Sequence, residues 1–564
     1  MAGCLPQQQK KSAVDAGSML GIDNMNTRTQ DVVDKIFGEY TSGLWEVFKR
    51  YDLGENKLPI SILRRAFCEL NLYPSYSQVL EMVHCAVEYG SPCVPDHITF
   101  GEFCVLVDEL QYHYERGIAL PQPRSLLKNK PDAYEMRRKR KESLQANFQV
   151  FLGGSCSGTS WRQEKAIPYL KLQSLTFYNP VVNTWRPELI ELEDRAKQAA
   201  QLLFFMIDNH TRAVVSMVEV AYLVGSHRQV VLVYNDTWEK VVLNGECPSS
   251  RELGDIVRAR TVLMDIVERN AIPVFTNIHK ALQCTATGLK QNMRVQDLEI
   301  NHGAQPVKFG HTQVGSALLK LRETFNSISS NVGGKMTKED VKLGYKCYSG
   351  LELDMKWLNQ QRPVQDSFSF EEFCCIVTEM KRKKPPLLTS VLTKMLTPVF
   401  WVLNRYRPEV YDEVTEEVRD VYLGGSCGES RWREEIAVPM LKRNGLSYQD
   451  PHVSEWVARL IPMQVALRER CRLLLYVFTR NTRGLAAMVE AGYYIGLGCR
   501  VVLCIEMMRD ATVIAGEELT ESALNDYNRG RMYLSDMASR EGVPVFDNIQ
   551  DSVQCAISQL QSAT

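Results

Sequence analysis

Apolar runs and helical stretches alternate along residues 148–275. Phe148–Leu152, Leu175–Tyr178, Leu202–Ile207, Gln229–Tyr234 and Pro273–Phe275 read as short strands. Trp161–Leu172, Glu188–Lys197, Val215–Val224 and Glu252–Asn270 read as the helices between them. Strands that are apolar throughout are buried on both faces, which predicts a parallel sheet covered by helices. The pattern then recurs. Val150-Phe151-Leu152-Gly153-Gly154-Ser155-Cys156 returns as Val421-Tyr422-Leu423-Gly424-Gly425-Ser426-Cys427, an offset of 421 − 150 = 271. Trp161, Arg162, Pro168, Pro180, Trp185, Thr211, Arg212 and Gly225 return at that offset as Trp432, Arg433, Pro439, Pro451, Trp456, Thr482, Arg483 and Gly496. The chain is an internal duplication. Each copy is predicted to be a five-stranded flavodoxin-like α/β domain of about 140 residues.

Another periodicity precedes each copy. Trp45, Phe48 and Tyr51, then Leu63, Phe67 and Leu70, mark two helices flanking a loop with Asp52, Gly54 and Asn56. Ile98-Thr99-Phe100-Gly101-Glu102-Phe103 resembles the exiting half of an EF-hand, and Phe368-Ser369-Phe370-Glu371-Glu372-Phe373 repeats it. A calcium loop needs oxygen ligands at its first, third and fifth positions and an acid at its twelfth. With Glu102 or Glu372 twelfth, the earlier positions are Ser91, Cys93 and Pro95, or Gln361, Pro363 and Gln365, which cannot cage the ion. The loop from Asp52 and the loop near Ser329–Gly334, with Asp340 twelfth, are also ligand-poor. The expectation is EF-hand-like packing without a cofactor; calcium, or a plain helical pack, are the alternatives.

The predicted order is a disordered tail (1–30), a helical module (31–115), a linker (116–146), an α/β domain (147–290), a second module (310–382), a linker or helix (383–417) and a second α/β domain (418–564). Arg137-Arg138-Lys139-Arg140-Lys141 and Lys381-Arg382-Lys383-Lys384 mark the linkers. They read as solvated linker faces, with nuclear import as the alternative.

Composition then narrows the class. A chain of 564 residues that is 45% hydrophobic and 24% charged is globular, and a net charge of −1 favours neither nucleic acid nor an anionic membrane. Its sixteen cysteines show neither CxxC pairs nor His-rich spacing, so no zinc is expected, and reduced thiols fit a cytoplasmic location. The helical modules are candidate protein-interaction surfaces.

In such sheets a ligand binds where the strands end. Gly153-Gly154-Ser155 and Gly424-Gly425-Ser426 leave the first strands there, glycine letting backbone approach a ligand and serine offering a hydroxyl. Arg162 and Arg433 follow as candidate clamps for phosphate or carboxylate. Glu219 and Glu490 are each the only acid in an apolar helix. A carboxylate so placed either faces a cleft or is satisfied by backbone groups; the surrounding pattern favours the cleft. The helix N-terminus is expected to keep it ionised.

The Val-(Phe/Tyr)-Leu-Gly-Gly-Ser strand, the Trp-Arg helix and the Met-Val-Glu-Ala helix resemble the nucleoside 2-deoxyribosyltransferase superfamily, especially its divergent eukaryotic-type branch. The resemblance covers both α/β units, about half of the chain. It implies that Glu219 and Glu490 are nucleophiles attacking C1′ of a nucleoside or nucleotide, with the Gly-Gly-Ser loops lining the pocket. It also implies a first-strand tyrosine, kept as Tyr422 and replaced by Phe151, and an acid ahead of the glutamate helix, for which Asp208 is the candidate where the second copy has Thr479. These departures keep a second reading open, a catalytically weak or inactive nucleotide-binding scaffold, and NAD glycohydrolase chemistry is a variant of the first. Pairing of the two α/β units would let each complete the other's pocket.

Overall fold

The computed structural model of the protein describes residues 36–52, 56–86, 97–115, 148–156, 159–182, 186, 189–234, 241–307, 314–329, 334–383, 418–426, 430–453, 456 and 460–562. The expected tail, both linkers from 116 and from 384, Trp185, Cys427 and most of the Ser91 and Ser329 loops lie outside these residues. The described residues fall into two compact units: 36–70, 85–111 and 315–383 in one, and 71–84, 112–314 and 418–562 in the other.

The second unit holds both α/β domains. In the first domain β1 (Phe148–Gly154), β2 (Phe177–Tyr178), β3 (Ala200–Ile207), β4 (Val230–Tyr234) and β5 (Val274–Phe275) form a parallel sheet in the order β2-β1-β3-β4-β5. In the second, β6 (Arg419–Gly425), β7 (Tyr448–Gln449), β8 (Cys471–Phe478), β9 (Val501–Ile505) and β10 (Val545–Phe546) repeat it as β7-β6-β8-β9-β10. This is the flavodoxin-like order, with its switch point at β1/β3 and β6/β8. Val150, Leu203, Phe204, Phe205, Val231 and Leu232 are completely buried, as a sheet covered on both faces requires.

The helix after each Gly-Gly-Ser turn begins unlike the continuous helix its pattern predicts. Arg162–Ala166 and Arg433–Ala437 are single π-turns, followed by α-helices at Ile167–Leu172 and Val438–Arg443. Pro168 and Pro439 lack the N–H that would continue the α-ladder, and the Ile167 N–H reaches back to the Arg162 carbonyl instead.

Four helices join the domains: α2 (Val214–Gly225) and α3 (Ser250–Arg269) from the first, α5 (Leu485–Gly496) and α6 (Glu521–Arg540) from the second. The contacts exchange in pairs, as across a twofold axis. A Cβ on Gly225 would run into the Tyr493 carbonyl oxygen, and one on Gly496 into that of Tyr222, so glycine sets the approach of α2 and α5. The Tyr222 hydroxyl donates to Glu541 (2.6 Å), and Asn270, at the position equivalent to Glu541, donates to the Tyr493 hydroxyl (3.1 Å). Residues 71–84 pack in this unit and not with the module expected to contain them. The Ser77 hydroxyl donates to Asp265 (2.7 Å) and the Tyr76 N–H to Glu268 (2.5 Å).

In the first unit, helix–strand–helix segments meet through antiparallel ladders, Lys57–Pro59 with His97–Thr99 and Met336–Thr337 with Ser367–Phe368. Aromatic rings fill it, with Phe100 edge-on to Trp45 and Phe48, and Phe325 to Phe370. The acids at the loop ends are already engaged. Glu102 accepts from the Thr99 N–H (2.9 Å) and pairs with Arg322 (2.6 Å), Glu372 accepts from the Ser369 N–H (2.7 Å), and Asp340 from the Thr337 N–H (2.9 Å). These are helix-capping interactions. Among the described residues no group of His, Cys, Asp and Glu is arranged to hold a metal ion, and no helix is long and apolar enough to cross a membrane.

Candidate active sites

A cavity of about 500 Å³ opens at the strand ends of the first domain and one of about 510 Å³ at those of the second. Gly153, Gly154, Ser155 and Glu219 line the first; Gly424, Gly425, Tyr422 and Glu490 line the second. Each cavity is closed by the other domain. Asp526, Arg529 and Tyr533 of α6 face the first, and Arg251, Asp255 and Arg258 of α3 face the second.

The Gly-Gly-Ser turns are built by their neighbours. Gly154 and Gly425 have φ of 103° and 105°, and a Cβ there would strike the carbonyl oxygens of Met206 and Val477 on the adjoining strands. These glycines therefore serve strand packing as well as lining the cavities. Ser155 Oγ accepts from the Asp208 N–H (3.2 Å) and the Thr211 hydroxyl (2.8 Å). Ser426 Oγ accepts from the Thr479 N–H (2.9 Å) and bonds Thr482.

Two expected ligand groups point elsewhere. Arg162 donates Nε, Nη1 and Nη2 to the carbonyls of Leu152 (3.0 Å), Ser155 (2.7 Å) and Gly154 (3.1 Å), and Arg433 does the same for Leu423 (2.9 Å), Ser426 (2.8 Å) and Gly425 (3.4 Å). Both arginines brace the turn from beneath, and neither lines a cavity as an anion clamp. Asp208 is buried, accepts from the His210 N–H (3.0 Å) and does not line the first cavity; it caps its own turn. Thr479 occupies the equivalent place.

The sequence reading missed the partner of each glutamate. Glu219 bonds Lys197 of α1 (Leu189–Gln198), and Glu490 pairs with Arg468 of α4 (Ile461–Glu469) at 2.8 Å. Lys197 and Arg468 obey the repeat offset, 468 − 197 = 271, and that recurrence of a cation was the available signal. Burial pushes the Glu219 carboxyl up to about 7; Lys197 pulls it back and the charge of Glu193 adds to the rise. Lys197, 3.8 Å from Glu193 as well as against Glu219, is held above its usual value despite burial. Glu490 is also raised by burial, with Arg468 opposing. The helix N-terminus therefore does not dominate at either glutamate, since each carboxyl is deeper in its helix and desolvated.

The surroundings then diverge. Tyr422 accepts from Arg468 (3.1 Å), and burial pushes its hydroxyl up to about 12. Phe151 fills the equivalent place and offers only its ring, 5.4 Å from the Lys197 ammonium. Tyr533 of the second domain donates to Glu193 of the first (2.8 Å), and the equivalents of those residues are Val262 and Gln464. Arg212 and Arg483 lock the rims: Arg212 pairs with Glu246 (2.8 Å) and lies 3.6 Å from Asp526, and Arg483 pairs with Glu517 (3.3 Å) and Asp255 (3.1 Å).

Fold and site together define two parallel-sheet domains, each with a cation-paired glutamate beside a Gly-Gly-Ser turn, buried at Glu219 and partly buried at Glu490. A family model described as "Nucleoside 2-deoxyribosyltransferase like" matches residues 147–237 and 418–508, so two tandem stretches of the chain are similar to that domain. No curated protein and no solved structure matches the chain. Both matched stretches end before α3 and α6, so the helices that close the cavities lie outside them.

Proposed function

We propose that the protein breaks the N-glycosidic bond of a nucleoside or nucleotide, using Glu219 and Glu490 as nucleophiles. The observation that carries this reading is the recurrence, in two cavities, of one desolvated carboxylate held by one cation. A Glu219 or Glu490 oxygen forms an ester bond to C1′ while the C1′–N bond breaks, and its electron pair leaves with the base, which takes a proton from water. Water or a second base then attacks C1′, breaks the ester and frees the carboxylate. Lys197 and Arg468 orient the carboxylates and favour their ionised form; the cavity walls keep bulk water from competing.

One observation favours a second reading, ligand binding without turnover. Asp208 and Thr479 line neither cavity, so among the described residues these two positions supply no acid for the departing base. General acid assistance is worth roughly 10²–10⁴-fold.

The test is nucleobase release by the full chain from a panel of deoxynucleosides, their 5′-monophosphates and NAD, with Glu219→Gln and Glu490→Gln singly and together. Loss of release in the double variant, with an intact fold, is the expected result. Release unchanged by both substitutions overturns the nucleophile assignment, and saturable binding without release establishes the second reading.

A further inference from the structure

The two cavities are assembled from corresponding residues, so their chemistry can be compared position by position. Glu219 matches Glu490, Lys197 matches Arg468, Arg212 matches Arg483, and the facing pair Asp526/Arg529 matches Asp255/Arg258, although Lys197 and Arg212 do not line the first cavity as Arg468 and Arg483 line the second. Two charged positions break the match. Glu193 on the wall of the first cavity becomes Gln464 in the second, and Arg251, which lines the second, has as its equivalent Ser522, which bonds Arg212 and does not line the first. The charged residues lining the first cavity are three acids (Glu193, Glu219, Asp526) and one base (Arg529), a balance of 1 − 3 = −2. The second holds two acids (Glu490, Asp255) and four bases (Arg468, Arg483, Arg251, Arg258), a balance of +2.

The excess has a definite location. Arg468 is held by Glu490, and Arg483 by Asp255 and Glu517. That leaves Arg251, which donates to the Ala515 carbonyl, and Arg258. The Arg258 guanidinium lies 5.1 Å from the centre of the Trp456 ring, and its buried Nε has no hydrogen-bond partner among the described residues. A cavity with a carboxylate for the sugar, an indole face for a base and two arginines for an anion matches the parts of a nucleotide.

We propose that the second cavity selects a 5′-phosphorylated nucleotide through Arg251 and Arg258, residues supplied by the first domain, and that the first cavity takes the uncharged nucleoside. This rests on reading both cavities as nucleoside sites. In the first, the Glu193 carboxylate, fixed by Tyr533, accepts from a sugar hydroxyl and repels a phosphate.

The test is calorimetric titration of the full chain with the carbocyclic analogues of 2′-deoxyadenosine and its 5′-monophosphate, whose bases cannot be released. The double substitution Arg251→Ser/Gln464→Glu installs the equivalent residues of the other copy in the second cavity. It should weaken the monophosphate by about tenfold per charge, roughly a hundredfold in all, and leave the nucleoside site intact. The reciprocal Ser522→Arg/Glu193→Gln should create a second monophosphate site, and it decides alone if the first variant does not fold. Monophosphate affinity within about twofold of wild type in the first variant, or no gain in the second, overturns the proposal. Nucleobase release assayed in parallel separates this from the chemistry above. Charge-dependent binding without release removes the proposed reaction and keeps the selection. Release that responds to Glu490→Gln but not to the swap removes the selection and keeps the reaction. Binding of neither analogue removes both.

Discussion

Glu219 makes the stability of the protein depend on pH in a direction opposite to that of most carboxylates. Its carboxyl, ordinarily near 4.5, is pushed up to about 7 in the fold. Between those values the folded protein holds a proton that the unfolded chain has released. The contribution is therefore complete below about 4.5 and is lost as pH rises through about 7. At about 1.4 kcal/mol per pH unit, the interval from 4.5 to about 7 amounts to roughly 3–4 kcal/mol. Glu219→Gln cannot titrate, and in the wild type Lys197 is held above its usual value by Glu219 and Glu193 against the effect of burial. The variant should thus gain roughly 3–4 kcal/mol on wild type between acid and neutral pH. Urea denaturation of both proteins across that range, followed by tryptophan fluorescence, measures the gain. Parallel stability profiles would refute the reasoning, because they would mean that Glu219 ionises as it does in water. The same ionisation should appear in kinetics as first-domain nucleobase release that increases as pH climbs through about 7.

Lys197→Met leaves the buried Glu219 without its cation and should cost about 3–5 kcal/mol at neutral pH, less in acid where the carboxyl is protonated; denaturation at the two pH values checks both. Tyr533→Phe deletes the hydrogen bond to Glu193 and should cost about 1 kcal/mol while lowering first-domain release, read in a Glu490→Gln background. Gly496→Ala drives a methyl group into the Tyr222 carbonyl and should destabilise by about 1–3 kcal/mol. Gly254→Ala, on a helix face open to space, should instead be neutral or slightly stabilising, as thermal melting would show.

The repeat made most of the α/β architecture legible. Leu202–Ile207 could be read as a buried strand because every residue is apolar, and the Gly-Gly-Ser turn marked the switch point. Glu219 and Glu490 could be located because a lone acid in an apolar helix is unusual. Their cations were hidden because Lys197 ends a helix that reads as polar and Arg468 opens an Arg-Glu-Arg run; only folding brings those helix ends against α2 and α5. Arg162 looked like an anion clamp because an arginine after a Gly-Gly-Ser turn has the same sequence whether it faces ligand or backbone. The facing residues Asp255, Arg258, Asp526 and Arg529 depend on the pairing of two domains. No local pattern within one copy encodes that.

The exchange of walls between the domains also bears on dilution. Two separate chains sharing pockets in this way would come apart as their concentration fell, and both pockets would open together. Here the partners are joined through the chain, so each meets the other at a fixed effective concentration however scarce the protein is. The helix crossing at Gly225 and Gly496 need only outweigh the entropy of closing one intramolecular loop, which grows slowly with loop length. A cell could therefore keep very few copies of this protein with every pocket still assembled.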